Sequence, residues 1–141
     1  LNDAEATART RSGDWLRTGD IAERLDDGRL RIIDRVKDIF ISGGENVSPA
    51  EVERALEKHA LIVQAAVVGI PDEVWGERGL AFVVASAPMS ADEVFAHART
   101  LLAGFKVPVR VEFVTELPTL TIEKLARRQL RERARAIVEA P

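Results

Sequence analysis

The sequence predicts an α+β fold: a small mixed sheet with three helices, preceded by a β-hairpin. Three observations carry that prediction. An Asp-Gly turn at Asp27-Gly28 separates two stretches of roughly alternating polarity, Ile21–Leu25 and Arg29–Ile33. The valine-rich run Val63–Ile70 ends at Pro71-Asp72 and reads as a buried strand, and Leu80–Ala85, reached through a turn, reads as another. Two capping signatures, Ser48-Pro49-Ala50-Glu51 and Ser90-Ala91-Asp92-Glu93, open helical spacings of apolar residues. Helices fall between strands without strict alternation, which favours a small mixed sandwich over a doubly wound sheet.

Taken in order, residues 1–14 are polar and alanine-rich, a surface helix or a loose tail. The hairpin follows. The apolar run Ile39-Phe40-Ile41 is a short strand that stops at Gly43-Gly44, read as a tight strand-to-helix turn. In the first helix Ser48 caps, Pro49 takes the first helical position, Glu51 completes a capping box, and Val52, Ala55 and Leu56 share a face. The strand from Val63 ends at Pro71-Asp72, and a turn carrying Trp75 and Gly76 leads to the next. A second helix runs through Val94, Ala98, Leu101 and Leu102, with Gly104 placed for a left-handed stop. Val109–Val114 alternates cleanly as a half-buried strand. After Leu117-Pro118, a last helix is expected over Lys124–Val138, with Leu125, Leu130, Ala134 and Ile137 on one side.

Composition narrows the function classes. The chain has 141 residues, room for one ordinary domain or a small domain plus a piece of another. A hydrophobic fraction of 46% with 30% charged residues is that of a globular protein. A formal net charge of -3 speaks against general nucleic-acid affinity. With Cys 0, disulfides, thiolate metal sites and cysteine nucleophiles are excluded, which suits a reducing cytoplasm. No apolar run has the length of a membrane span. Leu1 is not an initiator and the one methionine is Met89, so a processed chain or a piece of a longer one is expected. There is no Gly-x-Gly-x-x-Gly, no Walker loop and no His cluster; His59 and His97 stand isolated at or near predicted helix ends.

Four clusters are more specific than a plain domain requires. They are Trp15-Leu16-Arg17-Thr18-Gly19-Asp20; Asp34-Arg35-Val36-Lys37-Asp38 running into Ile41-Ser42-Gly43-Gly44-Glu45-Asn46; Pro71-Asp72-Glu73-Val74-Trp75-Gly76-Glu77; and Gly104-Phe105-Lys106-Val107-Pro108 with Leu117-Pro118 and Lys124. In this order and spacing, from Asp14 to Arg131, they resemble the C-terminal end of the adenylate-forming superfamily: acyl-CoA synthetases, peptide-synthetase adenylation domains and luciferases.

The resemblance implies a two-domain enzyme whose small C-terminal domain closes over a larger adenylating domain. Residues 1–36 would be the end of the N-terminal domain, with its hairpin, and 37–141 the C-terminal lid. Asp20 matches the aspartate that binds the ATP ribose hydroxyls, a task that suits a carboxylate accepting two bonds. Arg35 matches the arginine near ribose and phosphates, and Lys37 the hinge about which the lid swings. Gly43 and Gly44 would face the active site after the swing, beside the thiol arm of coenzyme A, where glycine lets backbone approach a ligand. Trp75 and Phe105 match positions that pack around coenzyme A, with core packing the other reading for each. Lys124 matches the catalytic lysine that reaches the substrate carboxylate and the ATP α-phosphate. At a helix start such a cation is slightly misplaced with respect to the macrodipole.

Two departures stand out. Thr119 replaces an arginine and Glu123 the glycine before the lysine, and a carboxylate beside that amine could pair with it or repel phosphates. Val107 and Val109 leave only Lys106 and Arg110 to meet coenzyme A phosphates. The basic last helix, with Arg127, Arg128, Arg131, Arg133 and Arg135, reads as a solvated face.

The implied function is the catalytic lid of an ATP-dependent carboxylic acid–CoA ligase, with fatty acids the expected class. Magnesium would be held mainly outside this chain, and the isolated piece would be inactive. The alternatives are an adenylation domain that loads a carrier protein and a non-catalytic lid-like module that binds coenzyme A or a partner. The individual acid and the oligomeric state are not written in these residues.

Overall fold

The computed structural model describes residues 4–120 and 124–139. It divides into two units, residues 1–37 and 38–141.

The first unit holds helix α1 (Ala4–Thr10), a two-stranded ribbon of β1 (Arg11–Ser12) and β2 (Trp15–Leu16), and the hairpin β3 (Asp20–Arg24) with β4 (Leu30–Arg35). The hairpin turns where the Asp-Gly pair places it. Gly28 takes φ +83°, and the Asp27 carboxylate accepts from Arg29 N at 3.0 Å and Arg29 Nε at 2.7 Å.

The second unit is a five-stranded sheet with helices on both faces. Its strands are β5 (Phe40–Ser42), β6 (Glu45–Val47), β7 (Ile62–Asp72), β8 (Gly76–Ala85) and β9 (Arg110–Phe113), and its helices are α2 (Pro49–Leu56), α3 (Ala91–Leu101) and α4 (Arg127–Glu139). The order is β6-β5-β8-β7, antiparallel throughout, with β9 added parallel to β8. A parallel neighbour requires a crossover, and α3 supplies it.

Period-two alternation builds two cores from one sheet. Val67, Ala81 and Val83 face α2 and α3, meeting Val52, Leu56, Val94 and Ala98. Ala66, Val68, Leu80 and Phe82 face α4, meeting Leu130 and Ala134. Because both faces are covered, Leu80–Val83 reads as an unbroken apolar run, the mark of a central strand.

The Ser90 capping box forms as expected: Ser90 N donates to Glu93 Oε2 at 2.7 Å, and Glu93 N donates to Ser90 Oγ at 3.3 Å. Ser48 also caps, accepting from Glu51 N at 3.2 Å, but the Glu51 carboxylate turns to Lys106 Nζ, at 2.7 and 2.8 Å.

Three expectations are corrected. Gly43-Gly44 does not lead into a helix; it turns a hairpin into β6, with φ of +60° and +87°, the double positive φ of a tight two-residue turn. Gly104 is not a left-handed stop: α3 ends at Leu102 in extended backbone, and Gly104 opens a 3-10 turn, Gly104–Lys106. The last helix begins at Arg127, not Lys124, because Lys124–Leu125 (β11) pairs with Thr119–Leu120 (β10). Ala126 N then donates to Pro118 O at 2.8 Å, and Ala126 O accepts the first helical bond from Leu130 N at 3.2 Å. β7 continues through Pro71, which an edge strand tolerates because the missing N–H faces away from the ladder.

Candidate functional site

In the first unit the hairpin register sets Asp20 opposite Arg35. Arg35 Nε donates to Asp20 Oδ1 at 3.0 Å, and Thr18 Oγ accepts from Asp20 N at 3.2 Å. The side chains are 39% and 29% exposed, so the pair contributes little to stability, about 0–1 kcal/mol, yet presents a carboxylate and a guanidinium side by side. Lys37 closes this unit, and Asp38 opens the next.

In the second unit two turns meet. Ser42 pairs with Gly76, which brings Gly43 beneath Trp75. Gly43 N donates to Trp75 O at 2.9 Å, and a Cβ on Gly43 would stand 2.6 Å from Trp75 Cζ3 and closer still to Cε3. Only glycine satisfies both that contact and the positive φ. The indole stays 41% exposed, with the Arg78 guanidinium 5.5 Å from its ring centre. Ser42 Oγ and Arg78 Nε are buried side-chain atoms without a hydrogen-bond partner, two acceptor or donor positions that water or a bound group can fill. The residue pattern gave no signal for Arg78; the strand carries it to Trp75.

Asp72 holds the turn. Its Oδ1 accepts from Trp75 N at 2.8 Å and Val74 N at 2.9 Å, and these two bonds, the Trp75 one first, hold its carboxyl below the ordinary range. A carboxyl lowered on folding stabilises above its unfolded range and stops doing so as pH falls through the lowered value. We therefore expect the Trp75 turn to stay clamped at mildly acid pH and to loosen only in strong acid. Asp72→Ala should lower the emission anisotropy of Trp75, read in a Trp15→Phe background, at neutral pH. Unchanged anisotropy would mean the clamp does not hold the indole.

The structure does not bring Phe105 to this pair. It lies in the 3-10 turn and packs on the core shared by Val107 and Val111, with Lys106 Nζ 5.7 Å from its ring centre. Lys106 and Arg110, the cations left for phosphates, are each held by a carboxylate, Glu51 and Glu112. His59 and His97 are not isolated: their rings meet edge to face at 5.0 Å, His97 Nε2 bonds Ala55 O at 2.9 Å, and His59 Nδ1 accepts from Leu61 N at 3.2 Å. They fasten α2 to α3.

Lys124 stands opposite Leu120 in the β10–β11 ribbon, so the macrodipole misfit expected of a helix start does not arise. Thr119 pairs with Leu125 in the same ribbon, while Glu123 lies outside the described residues.

The basic helix is not simply a solvated face. Arg127 Nη1 and Nη2 donate to Glu53 Oε1 and Oε2 at 2.7 and 2.9 Å, and Nη1 also donates to Val67 O at 3.2 Å. Arg127 Nε lies 3.6 Å from Asp38 Oδ2, and Arg131 Nη2 donates to Asp38 Oδ1 at 2.7 Å. Arg128 does face solvent, paired with Glu132. The signal for Glu53 is present in the sequence: it sits beside Val52 and three residues before Leu56, on the buried side of an amphipathic helix.

Two open clefts lie apart from these groups. One of about 570 Å³ is lined by Ser86, Met89 and Phe113, and one of about 530 Å³ by Glu116, Gln129 and Arg133. Among the described residues, no three His, Asp or Glu side chains are grouped to hold a metal, and no helix is long and apolar enough to cross a membrane.

A family model described as the AMP-binding enzyme C-terminal domain matches residues 51–124. A 2-succinylbenzoate–CoA ligase of Bacillus cereus is 41% identical over 132 residues, covering 94% of this chain and 27% of the relative. A long-chain-fatty-acid–CoA ligase of Yersinia pestis is 46% identical over 119 residues, 84% of this chain and 21% of the relative. Among solved structures, ATP-bound MatB from Rhodopseudomonas palustris superposes with a TM-score of 0.91 at 33% identity, over 98% of this chain and 28% of that one. The chain thus spans about a quarter of the length of such relatives.

Proposed function

Since the chain belongs to the AMP-binding enzyme C-terminal domain family, we propose that it is the lid of an ATP-dependent carboxylic acid–CoA ligase, with residues 1–36 ending the N-terminal adenylating domain and 37–141 forming the lid. In the first step a carboxylate oxygen attacks the ATP α-phosphorus, and the bond to the leaving pyrophosphate breaks. In the second the coenzyme A sulfur attacks the acyl carbon, the bond to AMP breaks, and the thiol proton is lost. Lys124 supplies positive charge where the carboxylate and α-phosphate converge, and Asp20 with Arg35 takes the ribose and phosphates. Lys37 is the hinge. Rotation about it replaces the Lys124 ribbon with the Gly43–Gly44 turn and Trp75 at the reacting centre. A fatty acid is the substrate class proposed. Magnesium would be held mainly outside this chain, by the ATP phosphates and the N-terminal domain.

One observation carries the acceptor half of this reading: Gly43 backbone, an exposed indole and two orphaned buried polar atoms stand together at one end of the sheet. Phe105 contributes from the core, by supporting Val107 and the turn that follows α3. In the full-length polypeptide, Gly43→Ala should slow thioester formation from preformed acyl-adenylate by about 10-fold or more, because the added methyl displaces the indole, and leave pyrophosphate exchange within about twofold. Equal loss of both half-reactions would contradict the placement of this turn in the second step.

A further inference from the structure

Four charged side chains are paired with one another in the second unit: Asp38, Glu53, Arg127 and Arg131. The two carboxylates are 7% and 10% exposed, and Arg127 is 17% exposed. Glu53 Oε1 also accepts from Val67 N at 2.8 Å, so the set ties α2, β7 and α4 to the first residue of the unit. Buried ion pairs seldom add net stability over apolar residues of the same shape, and Leu130 and Ala134 already seat α4 on an apolar face. What the set adds is register. Ala66, Val68 and Phe82 offer α4 a surface on which it can slide, whereas a two-pronged guanidinium on Glu53, with a third bond to Val67 O, admits one position.

That position matters because of what the chain joins. Arg127 is separated from β11 by a single residue, Ala126, which is 2% exposed and bonded to Pro118. Asp38 directly follows Lys37. We infer that Arg127 and Arg131 are positioning residues: they lock the Lys124 ribbon to the residue that follows the hinge, so that the lid carries Lys124 to the α-phosphate in one register. This rests on the roles proposed above for Lys124 and Lys37.

The test uses the full-length polypeptide with Arg127→Lys, which keeps the charge and removes the fork, and with Arg131→Gln as the milder variant. Three readouts are taken: acid-dependent ATP–pyrophosphate exchange, thioester formation from preformed acyl-adenylate, and amide hydrogen exchange at Lys124 and Ala126, whose N–H groups face β10. The expected result for Arg127→Lys is pyrophosphate exchange slowed about 10- to 10²-fold in kcat, thioester formation within about twofold, and ribbon amides exchanging about 10-fold faster while β7 and β8 amides are unchanged. Arg131→Gln should show the same pattern more weakly. Parallel loss of both half-reactions, or wild-type exchange at the ribbon amides, overturns the inference and leaves a structural role. A wild-type polypeptide that catalyses no exchange overturns the lid reading itself, whereas normal wild-type exchange, its loss in Lys124→Ala and an unaffected Arg127→Lys would overturn the positioning role alone.

Discussion

Lys124→Ala in the full-length polypeptide is expected to slow acyl-adenylate formation by about 10²–10³-fold, the effect of removing one preorganised charge from a site where negative charge converges. Thioester formation from preformed acyl-adenylate should change by less than about threefold, because that step is assigned to the turn where Gly43 and Trp75 meet. Rapid-quench measurement of each half-reaction separates the two. Equal loss in both would mean that Lys124 supports the fold or binds a group common to both steps. The ribbon makes the substitution a clean one. Ala126–Pro118 and Leu125–Thr119 are backbone pairings, which do not depend on the lysine side chain.

Glu53→Ala is expected to destabilise the second unit by about 3–5 kcal/mol. The change leaves the Arg127 guanidinium without its two-oxygen partner and Val67 N–H without its acceptor, both in the interior. Against a total of about 5–15 kcal/mol for a domain of this size, that is a large share, and the midpoint of thermal unfolding should fall by the order of 20 °C. Arg128→Ala, which removes an exposed pair with Glu132 on the same helix, should shift it by only about 1–3 °C. Calorimetry on the two variants decides. Similar small shifts for both would show that the buried set is energetically replaceable.

These two residues also mark how far the sequence can be read. The central strand, the Ser90 capping box and the Asp27-Gly28 hairpin rest on local chemistry, and each forms where its residues require. The pairing of Asp20 with Arg35 follows from the same hairpin, since a turn at Gly28 fixes which residues stand opposite. β6 escaped because Glu45-Asn46-Val47 is too short to show a period, although Gly43-Gly44 between apolar stretches is itself a hairpin signal. The ribbon escaped because helical spacing continues from Leu125 into Leu130 and Ala134, and two residues of pairing leave no trace in composition. The buried charge set required knowing that α4 packs across β7, which no local pattern states. At the candidate site, motif position singles out Gly43 and Trp75 separately, but their contact and the place of Arg78 come from the register of β5 on β8.

The most direct measurement is acid-dependent ATP–pyrophosphate exchange by the full-length polypeptide across a panel of carboxylic acids that includes fatty acids of several lengths. The expected result is label entering ATP only when a cognate acid is present, and exchange that collapses in Lys124→Ala. A folded polypeptide that exchanges with none of the acids would contradict the ligase reading and point to a lid that binds without adenylating.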